Sequence, residues 1–254
     1  MNSSTNRKTL FATFALIFFI CPAALALTAG EIIEKSDKAL RGDTQISIIE
    51  MTIKTRRWTR AMQITTYMDS AGKKTFAEIN APKKDAGNRF LLLDKQMWHY
   101  VPKLQQVIKI SPSMMLQSWM GSDFTNDDVV KESSIVTDYT HRLLGEETLD
   151  GYGCYKLELI PKPEAVVVWG RIVYFARTDD CLPVRVEFYS EHDVLKKYLT
   201  YQNFRFMHDR IIPTRYKMQT VKTEDRYTLM EIMDITFNEN IPDMIFTLQN
   251  LKRR

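Results

Sequence analysis

From about residue 44 to residue 237 the chain reads as one short strand after another, and this long β-meander most limits the folds open to it. Residues 45–55, 60–68 and 73–80 are apolar or alternating segments separated by polar breaks, and Asp69-Ser70-Ala71-Gly72 is a hairpin turn. Residues 89–93, 97–101 and 104–110 continue the series. After a gap come residues 139–144, 152–161, 166–177, 183–189, 194–207, 211–221 and 226–237, with Asp179-Asp180, Glu191-His192-Asp193 and His208-Asp209 at turns. Around a dozen antiparallel strands with few helices predict one barrel-like or strongly curved sheet in a single domain.

The patterning within strands adds a condition. Val184, Val186 and Phe188 alternate with Arg185, Glu187 and Tyr189, as on a half-buried strand. In 166–176 both faces are apolar, with Val167, Trp169, Val173 and Phe175 on one and Val166, Val168, Ile172 and Tyr174 on the other. Residues 226–237 behave similarly. Such strands need cover on both faces, and two helical segments can supply it. Residues 28–40 form a helix that Thr28 caps, with Glu31 completing a capping box and Ile32, Ile33, Ser36, Ala39 and Leu40 as a narrow stripe. The second lies within 111–131, the sole helical interruption of the meander.

Between Pro112 and Gly121 this second segment concentrates Met114, Met115, Leu116, Trp119 and Met120. Thr125 with Asp128 then opens a helix, and Asn126, Asp127 and Asp128 suit its positive end. Methionine repacks around varied apolar shapes, and Trp and Tyr cover apolar surface while keeping a polar tip. Two uses fit these residues: closing one end of a barrel core, or forming a lid over a cavity for apolar ligands.

Chemistry of the catalytic kind has no signature here. His99, His141, His192 and His208 are dispersed, without a zinc spacing. Gly121-Ser122-Asp123 lacks the flanking glycines of a nucleophile elbow, and Asp123, Asp127 and Asp128 lack the calcium-loop pattern. The sequence therefore predicts a non-enzyme without cofactor or metal.

At the N-terminus Arg7 and Lys8 precede an apolar run over 10–20, too short for a comfortable bilayer span, and Ala24-Leu25-Ala26 gives a small-x-small cleavage site. Residues 1–26 are predicted to be a signal peptide cleaved after about Ala26, leaving 27–254 as one domain; an uncleaved anchor is the alternative. Phe18 and Ile20 do not fit a lipoprotein signal at Cys21. The net charge of +4 drops to about +2 without Arg7 and Lys8, too little to argue for nucleic acid. Cys154 and Cys181 remain, readable as a disulfide in an oxidising compartment or as two buried thiols.

Several motifs carry a family resemblance. They are Trp98-x-Tyr100-x-Pro102-x-Leu104, Val107-x-x-Ile110, Met120-Gly121-Ser122-Asp123-Phe124-Thr125 with Asp128, and His141-Arg142-Leu143-Leu144-Gly145. Asp150-Gly151 leading to Cys154-Tyr155-x-Leu157, Leu182-Pro183-Val184-Arg185 and Ile241-Pro242-Asp243-x-Ile245-Phe246-Thr247 add to them. In this order they resemble the outer-membrane lipoprotein-sorting family, relatives of the lipoprotein carrier LolA, and the Met-Gly-Ser-Asp-Phe block is the most specific part. The resemblance implies an α+β, mainly antiparallel fold: an incomplete, strongly curved β-barrel of about 11 strands with a few helices forming a lid. It also implies a periplasmic protein that binds lipid or lipoprotein acyl chains and shuttles them between membrane partners, such as an inner-membrane transporter. The alternative is a sensor or adaptor docking on a membrane transporter or regulator; a hydrolase has no residue to nominate. Trp98, Tyr100, Met114, Met115, Leu116, Trp119, Met120, Phe124 and Trp169 are the expected ligand-binding residues.

Overall fold

The computed structural model describes residues 27–130, 134–221, 223 and 225–253. The predicted signal peptide and Lys131 lie outside the described residues. Thirteen strands follow one another: β1 (Thr44–Lys54), β2 (Thr59–Asp69), β3 (Lys74–Ala81), β4 (Arg89–Leu93), β5 (Gln96–Val101), β6 (Gln106–Lys109), β7 (Tyr139–Leu149), β8 (Tyr152–Pro161), β9 (Arg171–Arg177), β10 (Pro183–Tyr189), β11 (Leu195–Met207), β12 (Arg210–Thr220) and β13 (Tyr227–Phe237). They form one sheet in the order β6-β5-β4-β3-β2-β1-β13-β12-β11-β10-β9-β8-β7. Every neighbouring pair is antiparallel, and only β1 beside β13 joins strands distant in sequence. Two meanders are thus zipped along β1 and β13, and the sheet stays unclosed, with β6 and β7 as its edges. The expected curved antiparallel architecture holds, with 13 strands instead of about 11.

Between the two edges, residues 111–130 and 134–138 lie over the open side of the sheet. This stretch contains 3-10 turns at Pro112–Met114 and Trp119–Gly121, then the short helices α2 (Asn126–Val130) and α3 (Ser134–Thr137). It is less helical than its sequence suggests. Pro112 opens the first turn, and Met120 and Gly121 take φ of 53° and 81°, so no helix can run through them. The N-terminal helix α1 (Ala29–Arg41) precedes β1 and carries the anticipated capping box, Thr28 with Glu31. α4 (Leu248–Leu251) ends the described chain on the convex side, where Phe246 and Leu251 pack with Phe76 and Leu91.

The strand expected over 166–177 begins only at Arg171. Gly170 sits so close to the Ser190–Glu191 turn that a Cβ there would lie 2.6 Å from the Glu191 Cα. A side chain would push this backbone apart, so glycine ends the loop and lets 166–169 turn across the concave face.

Cys154 and Cys181 are both free and buried, which overturns the disulfide reading. Cys154 lies within β8, whereas Cys181 lies in the connection between β9 and β10 at a φ of 64°. Cys154 belongs to the convex-side cluster with Val173, Phe175 and Val184. Cys181 packs with Leu157, Tyr174 and Ala176 on the concave side.

Candidate functional site

Cross-strand pairing carries one inward face through eight successive strands. Thr75 and Ala77 of β3 lie opposite Met68 and Thr66 of β2. Ile64 of β2 faces Ile49 of β1, which faces Ile232 of β13. Met230 meets Tyr216 of β12, and Tyr216 and Met218 meet Tyr201 and Leu199 of β11. Leu199 meets Val186 of β10, and Val186 and Phe188 meet Tyr174 and Ile172 of β9. All these side chains line a single cavity. Laid flat at about 4.8 Å per strand, β3 and β9 would stand about 34 Å apart. One cavity can touch both only because the sheet curls around it.

Three segments cover the open side: Asp37, Leu40 and Arg41 at the end of α1, Trp119, Phe124, Asp127, Asp128, Val129 and Ile135 of the stretch between the two edges, and Val167, Val168 and Trp169. The space accepting the centres of water-sized spheres is about 270 Å³, against about 10–15 Å³ for one water. The lining is mainly aliphatic and aromatic, the environment an uncharged chain prefers. Packed core flanks it on both sides. One cluster joins Met51, Ile53, Met62, Phe90, Met97 and Trp119. The other joins Ile32 and Ile33 of α1 to Leu157, Leu159, Ile172 and Tyr174.

Polar groups at the rim tie the cover to the sheet. The Asp123 carboxylate accepts from Arg226 Nε at 2.7 Å and Thr228 Oγ1 at 2.8 Å, while the Asp123 backbone N–H donates to Thr228 Oγ1 at 2.8 Å. Arg60 bridges Asp85 at 2.7 Å and the Met120 carbonyl at 3.3 Å. Across the cavity, Asp128 accepts from the Thr125 backbone N–H at 2.7 Å and its hydroxyl at 2.8 Å, and pairs with Lys197. The side chains of Lys197 and Asp128 are 4% and 9% exposed, so the ion pair is withdrawn from water. The Lys197 ammonium also lies 4.8 Å from the Trp169 ring centroid and 5.5 Å from that of Phe188. Tyr174 donates to or accepts from Ser36 at 2.7 Å, holding α1 to β9. Burial pushes the Tyr174 phenol pKa upward, and burial reinforced by Asp127, Asp138 and Asp128 does so for Tyr139. Both phenols stay neutral at ordinary pH.

Of the anticipated ligand-binding residues, Trp119, Phe124 and Trp169 converge on the cavity. Met114, Met115 and Met120 pack behind Trp119 against the first cluster. Leu116 is 62% exposed. Trp98 and Tyr100 point to the convex face, beneath Phe246 and Leu251. Sequence reasoning missed the strand residues that form most of the wall, and it missed Lys197. One signal was available: Lys197 occupies the inward phase shared by Leu199 and Tyr201, an odd place for a charge without a partner. Among the described residues no three His, Cys, Asp or Glu side chains converge as a metal site, and no helix is long and apolar enough to cross a membrane.

An unclosed antiparallel sheet curled around an apolar cavity under short helices defines a LolA-type fold. A family model described as that of an uncharacterized protein matches residues 71–253, and the chain belongs to that family. A protein of the DUF1329 family from Desulfovibrio piger is similar at a TM-score of 0.80 and 24% identity, over 88% of this chain and 97% of that one. A putative outer membrane lipoprotein-sorting protein domain from Vibrio parahaemolyticus matches at 0.76 and 22%, over 89% and 98%. A LolA superfamily protein from Nitrosomonas europaea matches at 0.74 and 22%, over 89% and 100%. No curated protein matches the chain in sequence.

Proposed function

We propose that this protein is a periplasmic carrier that takes up lipid or lipoprotein acyl chains in the cavity of its curled sheet and passes them between membrane partners. The observation behind this reading is a continuous, mainly apolar wall drawn from eight strands and closed by three covering segments, large enough for a chain of many atoms. A fold shared with proteins named for outer-membrane lipoprotein sorting supports it, as does the predicted signal peptide. Each methylene moved from water to such a wall contributes about 0.8 kcal/mol, so a chain of ordinary length offsets a considerable ordering cost.

The test is direct. Protein purified from its native host without detergent is examined by native mass spectrometry and solvent extraction, and fluorescent fatty acids are titrated into it. Co-purified lipid or saturable probe uptake is expected. Protein that carries no lipid and takes up no probe would end the carrier reading.

A further inference from the structure

The β11–β12 hairpin outlasts its neighbours. β10 pairs with β11 only as far as Thr200, and β13 pairs with β12 only from Arg215 onward. Beyond those points β11 and β12 continue to pair with each other, through Phe204 opposite Pro213, Phe206 opposite Ile211 and Met207 opposite Arg210. The distal part is therefore a two-stranded ribbon without a hydrogen-bonded strand on either side. Its inner side is anchored: Met207 and Ile212 pack with Ile235 and Phe237, and the Arg210 guanidinium lies 4.1 Å from the Phe237 ring centroid. On its outer side Phe204 packs with the convex cluster and Tyr152, and only the tip beyond it is bare. Phe206 is 70% exposed and Ile211, directly opposite it, 48%.

We propose that this ribbon tip is the surface through which the protein docks on an anionic phospholipid bilayer. Charge favours that partner. Arg210 pairs with Asp209 and Arg215 with Glu231, which leaves Lys196, Arg205 and Lys217 of these two strands without a carboxylate partner among the described residues. Arg205 is exposed on the opposite face of the ribbon, across from Ile212, so its long side chain can reach headgroups while Phe206 inserts. Area disfavours a protein partner, because a stable protein interface needs about 800 Å² from each side, whereas a tip of two apolar residues suits shallow insertion. Position gives the contact a purpose. Arg210 Nη1 donates to the Lys38 carbonyl in the last turn of α1 at 3.4 Å, and Asp37, Leu40 and Arg41 of that turn close one end of the cavity. The tip would thus hold that end of the cavity to the lipid surface. Its purpose rests on the carrier reading, although the docking itself is measured separately.

Co-sedimentation with vesicles of phosphatidylethanolamine and phosphatidylglycerol tests the proposal, using protein purified from its host. The wild type is expected to bind, Phe206→Glu with Ile211→Glu to bind at least about tenfold more weakly, and Phe206→Leu to bind nearly as well as the wild type. Uptake of a fluorescent fatty acid in vesicle-free solution should be the same in all three, which shows that the fold survives. Equal binding by the double variant, or none by the wild type, overturns the proposal. So does a double variant that changes only the oligomeric state in light scattering, because the tip would then serve self-association. Vesicle binding without probe uptake leaves docking standing and removes the carrier reading; probe uptake without vesicle binding does the reverse.

Discussion

At the scale of single residues, the two groups with the clearest consequences are His99 and the Lys197–Asp128 pair. His99 stacks on Phe90 at 4.2 Å between ring centroids and hydrogen-bonds Asn88 at 2.9 Å. Burial depresses its pKa from the ordinary 6.5 to about 4. Between those values the unfolded chain binds a proton that the folded protein does not, so stability is full above pH 6.5 and falls as pH drops toward 4. Urea denaturation at pH 7 and near pH 5.5 should show this loss, and His99→Gln should flatten it; an unchanged difference between the two pH values would refute the assignment. The buried pair makes an asymmetric prediction. Removing Lys197 as Lys197→Met leaves the Asp128 carboxylate with two donors from Thr125. Removing the carboxylate as Asp128→Ala leaves an ammonium with only the Trp169 and Phe188 ring faces. Breaking a buried pair costs roughly 3–5 kcal/mol, so Asp128→Ala should approach that range and Lys197→Met fall clearly below it. Equal losses in denaturant titrations would show that the aromatic faces serve the stranded ammonium as well as the Thr125 donors serve the stranded carboxylate. Neither effect is visible in sequence, because an isolated Lys or His is mute about the burial of its surroundings.

At the scale of elements, local pattern identified what it had the information to identify. The Thr28–Glu31 capping box, the Asp69–Gly72 turn and the Thr125–Asp128 cap are short-range devices, and each takes its expected place. The Met-rich segment reads in sequence as barrel closure or as a lid, because its residues are soft and apolar. Its actual behaviour is set by residues about a hundred positions away, since Asp123 is held by Arg226 and Thr228. The same distance hid the fates of Trp98 and Tyr100: alternation says that they share a face, but only the placement of α4 says which. The Asp123 anchor predicts a localised response. In Asp123→Ala, two side-chain acceptor contacts disappear and Thr228 keeps a buried hydroxyl with fewer partners, a loss of about 1.5–3 kcal/mol. Hydrogen exchange should accelerate across residues 114–128 well before it does in β1 or β2. Uniform acceleration over the whole sheet would mean that the segment is part of one cooperative core, not separately tethered cover.

At the scale of the whole molecule, the question is whether the cavity is a site or a packing defect, and the two differ in how they answer a change of volume. The β-meander and its doubly apolar strands implied a covered concave face, yet no local pattern could say whether side chains would fill it. That depends on the curl of thirteen strands, to which each cross-strand pair contributes a little. Ala77 lines the cavity from β3, opposite Thr66 and 8% exposed. Ala77→Phe projects a ring into the empty space. In a mere defect, filling improves packing and nothing else changes, whereas in a binding site the ring competes with the ligand. The expected outcome is a loss of fatty-acid probe affinity by at least about tenfold, with ligand-free stability within about 1.5 kcal/mol of the wild type. Ligand present at about a hundredfold over its Kd should raise wild-type stability by about 2.7 kcal/mol, and at the same concentration this gain should fall to about 1.4 kcal/mol or less in the variant. The gain in the wild type should also grow with acyl length, by up to about 0.8 kcal/mol per methylene in binding energy, until the chain outruns the cavity. Thermal denaturation across a series of saturated fatty acids reads both effects at once. A shift that ignores chain length, or that survives Ala77→Phe intact, would place the ligand outside the curled sheet.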